Sequence, residues 1–166
     1  MNDTITFEFV DPDVEEGEYY SAEEPSPYFG LTQEKMDKNL RFLQNSNVVV
    51  INKPVIKVRF NYPLSDEHII PLIPCDGKRY FTRETLGKTI ALKYQEIYTD
   101  EEKTTELPVE SIAEQTSTGG RREIPLMNRA TTNGVWGIWG HDLSDLDLHT
   151  VSYDKETDTY SLGIDS

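Results

Sequence analysis

Between Arg83 and Asp100 the residues Leu86, Ile90, Tyr94 and Ile97, joined by Tyr98, recur at helical spacing. A helix patterned this way carries one apolar face that has to be buried. The rest of the chain must therefore supply a surface for it to cover. Thr82 stands where an N-cap belongs, because its hydroxyl can accept from an otherwise orphaned backbone N–H. Phe81 and Leu86 take the two positions of a hydrophobic staple, and Glu84 suits the positive end of the helix dipole. Gly87 is the discordant residue. It costs a helix interior up to about 1 kcal/mol relative to alanine, which points to close packing there.

Strand patterns supply the surface. Val48-Val49-Val50-Ile51 is β-branched throughout, which suits a pleated sheet better than a helix. Pro54 interrupts the ladder, since proline has no N–H to donate. Ile56, Val58, Phe60 and Tyr62 then alternate with Lys57, Arg59 and Asn61, giving one apolar face and one basic face. The basic face reads as solvated, with phosphate contact as the alternative. Pro71 and Pro74 confine Ile69–Ile73 to a sheet edge or an extended segment. Ile5, Phe7 and Phe9 alternate near the N-terminus. A first helix is expected over Thr32–Gln44, capped by Thr32, stapled by Leu31 and Met36, and striped by Met36, Leu40 and Leu43.

In the last third, Val135–Trp139 reads as a strand after an Asn133-Gly134 turn. A further strand runs from Asp145 to Tyr153, Asp154–Asp158 is a hairpin turn, and Thr159–Ile164 alternates again. The expected fold class is α+β: a mostly antiparallel sheet from residues 48–73 and 135–164, one long packed helix, and a C-terminal β-hairpin. Residues 1–30 are expected to form an acidic N-terminal strand with a flexible or docking arm at 11–28, and residues 31–166 a single domain.

The net charge of -14 is unevenly placed. Residues 1–34 hold ten acids and no base, residues 35–93 have a net charge of +6, and residues 94–166 one of -10. An acidic whole repels nucleic acid and anionic membrane at long range, so neither is an expected partner. The basic middle most simply complements the acidic ends within the fold. One cysteine, Cys75, excludes an intrachain disulfide and fits a reducing compartment. No basic n-region with an apolar run opens the chain, and no apolar stretch is long enough to span a bilayer. A cytoplasmic location is the expectation. No cofactor fingerprint is present: Gly119-Gly120-Arg121-Arg122 invites a phosphate-loop reading, but Ile124-Pro125 follows where a Lys-Ser/Thr helix start is needed.

The segment Gly134–His149 holds both tryptophans, two of the three histidines and several aspartates. Three functional readings compete for it. His141, Asp142 and His149 form an imidazole–carboxylate set suited to a transition metal, and so to a metal-assisted hydrolase. His141 with Asp142 or Asp145 offers general acid–base catalysis. Trp136 and Trp139 offer stacking surfaces for a small ligand or glycan. A plainer reading assigns the tryptophans to the core, the His141-Asp142 side chains to a turn, and the alternate aspartates to the wet face of a strand.

Residues 137–146, Gly-Ile-Trp-Gly-His-Asp-Leu-Ser-Asp-Leu, followed by Tyr153-Asp154 and Tyr160-Ser161-Leu162, resemble a C-terminal segment of uncharacterised proteins of large nucleocytoplasmic DNA viruses. The helix from Tyr80-Phe81-Thr82-Arg83-Glu84 to Tyr94-Gln95-Glu96-Ile97-Tyr98 is similar to the same set. The likeness covers residues 48–166 and carries no functional residue with it. It implies expression in infected cytoplasm and a virion or host-interaction role. Together with the acidic arm and the lack of a complete catalytic constellation, it favours a non-enzymatic module that binds protein.

Overall fold

A computed structural model describes residues 3–11, 25–111 and 127–166. Most of the expected acidic arm and the Gly119-Gly120-Arg121-Arg122 stretch lie outside the described residues. The elements are β1 (Thr4–Thr6), β2 (Phe29–Gly30), α1 (Gln33–Phe42), β3 (Val49–Ile51), β4 (Ile56–Phe60), β5 (His68–Leu72), β6 (Phe81–Thr82), α2 (Arg83–Thr104), β7 (Asp147–Asp154) and β8 (Thr159–Asp165). A single 3-10 turn spans Leu143–Asp145.

The fold is α+β. The main sheet runs β1-β7-β8-β4-β5, with β2 also on β7. Each pairing is antiparallel except that of β4 with β8 at the centre, which is parallel. Parallel neighbours need a long crossover, and here α2 lies in the chain between them. In β4, Ile56, Val58 and Phe60 are buried while Lys57 is exposed, as the alternation requires. Arg59 on the outer face is held by Glu67 at 3.2 Å. The β7–β8 hairpin turns at 155–158, where Asp154 accepts from the Glu156 N–H and the Thr157 hydroxyl.

Two strand assignments made from pattern are corrected. Val49–Ile51 is extended but leaves the main sheet and pairs with β6 in a separate two-stranded sheet. Val135–Trp139 is not a strand: it is a bent loop whose one bridge joins Ile138 to Leu64. Its amides serve a carboxylate instead of a ladder, as described below.

Both helices start where the caps place them. Thr32 accepts from the Lys35 N–H, and Leu31 and Met36 are buried beside it. Thr82 and Thr85 form a reciprocal capping box, with the Thr85 N–H bonding the Thr82 hydroxyl at 3.2 Å and the Thr82 N–H bonding the Thr85 hydroxyl at 2.8 Å. α2 covers the apolar face of the sheet with Leu86, Ile90, Tyr94 and Ile97, all fully or nearly fully buried. Gly87 is explained by Phe29, whose ring would lie 2.9 Å from an added Cβ. Phe29 also packs against Phe7 and Phe9, with ring centroids at 5.6 and 5.8 Å. The segment after β1 is stitched in on both sides: Phe9 exchanges backbone bonds with Ser26, and the Gln44 N–H bonds the Glu8 carbonyl.

The basic middle does meet the acidic C-terminal third. Lys53 lies 2.9 Å from Asp158, and Lys35 3.6 Å from Asp147. Both pairs are substantially exposed, so solvent screens them and they add little to stability. Among the described residues no helix is long and apolar enough to cross a membrane.

Candidate functional site

The loop at 132–138 is built around Glu101, one turn from the end of α2. Its carboxylate is fully buried, and burying an unpaired carboxylate is expensive. Five donors offset that cost. The Thr132 hydroxyl and the Gly134 N–H bond Oε1 at 2.7 and 2.8 Å, and the Ile138 N–H reaches it at 3.4 Å. The Trp136 and Gly137 N–H groups bond Oε2 at 2.9 and 3.1 Å. The Thr132 N–H closes the loop on the Ile138 carbonyl at 2.9 Å. Gly137 permits the curl: its φ of +63° is left-handed, and an added Cβ would overlap the Ser65 side chain.

Burial pushes the Glu101 carboxyl up, but the bonds from Thr132, Trp136, Gly134 and Gly137 outweigh it and hold the group below its ordinary 4.5. A carboxyl depressed in the folded state contributes stability above its unfolded pKa and loses that contribution as pH falls through the folded value. Asp147 acts in the opposite sense, because burial raises it despite Lys35. The comparison that isolates Glu101 is therefore with Glu101→Gln. As pH falls below 4.5, the urea midpoint of the wild type is expected to drop more steeply than that of Glu101→Gln. Parallel pH curves would contradict this.

The indoles take separate aromatic neighbours. Trp136 packs edge-on against His68 with centroids 4.7 Å apart. Trp139 packs edge-on against Tyr62 at 5.2 Å and donates from Nε1 to the Leu64 carbonyl at 3.3 Å. Both are half-buried.

His141 is buried, with Nδ1 2.7 Å from Asp145 Oδ2 and Nε2 3.4 Å from Ser166 Oγ. Its carbonyl accepts from the Tyr98 hydroxyl at 2.8 Å. Asp142 turns away to Arg129, at 3.2 Å from Nη1, and its N–H bonds Asn128 Oδ1. His149 faces Tyr28 edge-on from β7. The structure thus brings His141 and Asp145 together and directs Asp142 and His149 to other partners. Among the described residues no group of three His, Cys, Asp or Glu side chains is arranged to hold a metal ion.

Two buried ions were not singled out from sequence. Glu101 sits among Asp100, Glu101 and Glu102, where the chain reads as a charged exit. The signal that finds it is position: it extends the apolar stripe of Tyr94 and Ile97 by one more turn. Arg129 has no such signal. Its side chain is 2% exposed, and its guanidinium stacks on Tyr98 at 5.2 Å. Beside it opens a cleft of about 430 Å³ lined by Thr32, Gln33, Gln95, Tyr98, Arg129 and Asp142, among others.

No protein-family model, no curated protein and no solved structure matches this chain.

Proposed function

We propose that this domain is a non-enzymatic protein-interaction module whose partner adds an extended segment to the free edge of β5. The observation that carries the reading is the apolar surface gathered there. β5 ends the sheet order, so among the described residues no strand lies beside its outer backbone. Ile73 is 65% and Leu92 of α2 37% exposed where they border one groove, and Ile69, 51% exposed, lies on the outer face of the same strand beside Arg59. Between strand and helix lies a groove of about 210 Å³ lined by Leu72, Ile73, Thr89, Leu92, Lys93 and Glu96. A free edge beside an apolar groove suits strand addition: main-chain bonds give affinity and the groove takes alternate side chains. Pro71 removes one donor from the edge, which disfavours indiscriminate pairing with other sheets. The likeness to viral proteins extends the reading to a virion or host-interaction role in the cytoplasm.

A photo-crosslinking residue at position 73 is expected to capture a discrete partner in the native cell. Capture should fall in an Ile69→Asp, Leu92→Asp variant and be absent from position 156, in the hairpin turn. Equal capture from both positions, or none, would remove the support for this reading.

A second reading rests on His141. Asp145 Oδ2 lies 2.7 Å from His141 Nδ1, and Ser166 Oγ, 2.7 Å from the Tyr62 hydroxyl, lies 3.4 Å from Nε2, a set of groups from which a histidine can take a hydroxyl proton. Ester hydrolysis lost in both His141→Ala and Ser166→Ala would favour a hydrolase. Hydrolysis unchanged by either would discard it.

A further inference from the structure

Pro71 fixes which way the backbone of β5 points. A proline has no N–H to donate, so Lys57 and Pro71 cannot be a pair that exchanges both ladder bonds. The exchanging pairs are therefore Ile56 with Leu72, Val58 with Ile70 and Phe60 with His68. Ile69 and Pro71 turn their backbone groups outward, presenting two carbonyls and the Ile69 N–H to an added strand. A second copy of this chain suits that edge poorly. A two-fold β5 pair is isologous, so the donor missing at Pro71 is missing twice. A segment from a different protein loses it once.

The two faces beside this edge ask for different side chains, because directly opposed residues share a face of a sheet. Leu72 lies with Ile56 on the face under α2. A partner residue opposite Leu72 therefore points toward the groove bordered by Ile73 and Leu92. The charged pair on that groove, Lys93 with Glu96, is already closed at 2.6 Å, which leaves an aliphatic site. Pro71 lies on the other face, beside Lys57. A partner residue opposite Pro71 stands two strands from Lys57, about 10 Å between Cα atoms, a span that a lysine and a glutamate side chain cover together. Arg59 on that face is answered by Glu67 at 3.2 Å. Lys57 is exposed and forms no ion pair among the described residues. Asp158, whose carboxylate feels its charge, is bonded to Lys53 instead.

Building on the strand-addition reading above, we infer that the β5 edge selects an acidic–aliphatic extended segment of a different protein, with an aliphatic side chain in the groove and a carboxylate opposite Pro71 for Lys57. The net charge of -14 repels such a segment at long range. Salt screens that repulsion beyond about 8 Å at physiological ionic strength. The edge itself belongs to the stretch 35–93, whose net charge is +6. Lys57 thus sets which segments are held, not how fast they arrive.

The test titrates the full chain with two end-capped peptides, one alternating valine with glutamate and one alternating valine with lysine, while NMR follows the Ile69 amide. The valine–glutamate peptide is expected to shift that amide saturably and to bind at least about 3-fold more tightly than the valine–lysine peptide. Lys57→Ala, at an exposed position, should erase the preference, and Lys57→Glu should reverse it. Equal affinities in the wild type, or an unchanged order in Lys57→Glu, would overturn the charge assignment and leave strand addition standing. No shift of Ile69 with either peptide at millimolar concentration would also overturn it, and crosslinking from position 73 then decides strand addition separately. Concentration-dependent protection of the Ile69 amide without peptide would show a second copy on the edge and contradict the choice of a different protein.

Discussion

Glu101→Ala is expected to destabilise the protein by about 3–5 kcal/mol in urea unfolding. The carboxylate is the shared acceptor for one hydroxyl and four backbone N–H groups. Each buried donor left without a partner costs about 1–3 kcal/mol, less where water enters the space vacated. Glu101→Gln keeps the volume but turns an amide NH2 toward one of the two donor groups, so a smaller loss of about 2–3 kcal/mol is expected. Glu102→Ala, one residue on and mostly exposed, serves as the control and should stay within about 0.5 kcal/mol of the wild type. If Glu101→Ala and Glu102→Ala unfold at the same midpoint, the loop is not held by this carboxylate. The loop's backbone would then find other acceptors.

The second large effect is expected at Phe29. Its ring is fully buried, touches Phe7 and Phe9, and rests on Gly87 of α2. Phe29→Ala should cost about 3–5 kcal/mol through lost burial and the cavity left behind. The informative partner is Gly87→Ala. In the wild type an added Cβ lies 2.9 Å from the ring, and overpacking of this kind costs about 1–3 kcal/mol. That exceeds the gain of about 1 kcal/mol from replacing a helical glycine. In Phe29→Ala the obstructing ring is gone and the helix gain remains. Gly87→Ala is therefore expected to destabilise the wild type and to stabilise Phe29→Ala, a reversal of sign that a double-mutant cycle reads directly. The same sign in both backgrounds would mean that Gly87 answers to something other than this ring.

Features decided by local chemistry were legible. The Thr32 and Thr82 caps, the staples, the α2 stripe and the C-terminal hairpin rest on residues a few positions apart. The α+β class followed from them, and so did the edge position of β5, through its prolines. Partner choice was not legible, because it is non-local. The β-branched run at 48–51 says strand but not which sheet, and it pairs with β6. The alternation of β4 and β8 fits either direction, and the central pair is parallel.

The loop at 135–139 was misread for a different reason. Val-Trp-Gly-Ile-Trp alternates as a half-buried strand does. The competitor for its amides is a carboxylate more than thirty residues upstream, and no local pattern announces it. At the candidate site, His141 and Asp145 stand four residues apart outside any α-helix, and the turn at Leu143–Asp145 brings them together. Asp142 next door is drawn off by Arg129. No sequence pattern around Arg129 announces that guanidinium.

The most direct test of this account is amide hydrogen exchange at Gly134, Trp136 and Gly137. If Glu101 holds the loop, these three N–H groups are protected together at neutral pH and lose protection together as Glu101 is protonated below its ordinary 4.5. In Glu101→Gln they should exchange readily at neutral pH. Exchange at unprotected-loop rates in the wild type, or undiminished protection in Glu101→Gln, would contradict the claim that this segment is organised around one buried carboxylate.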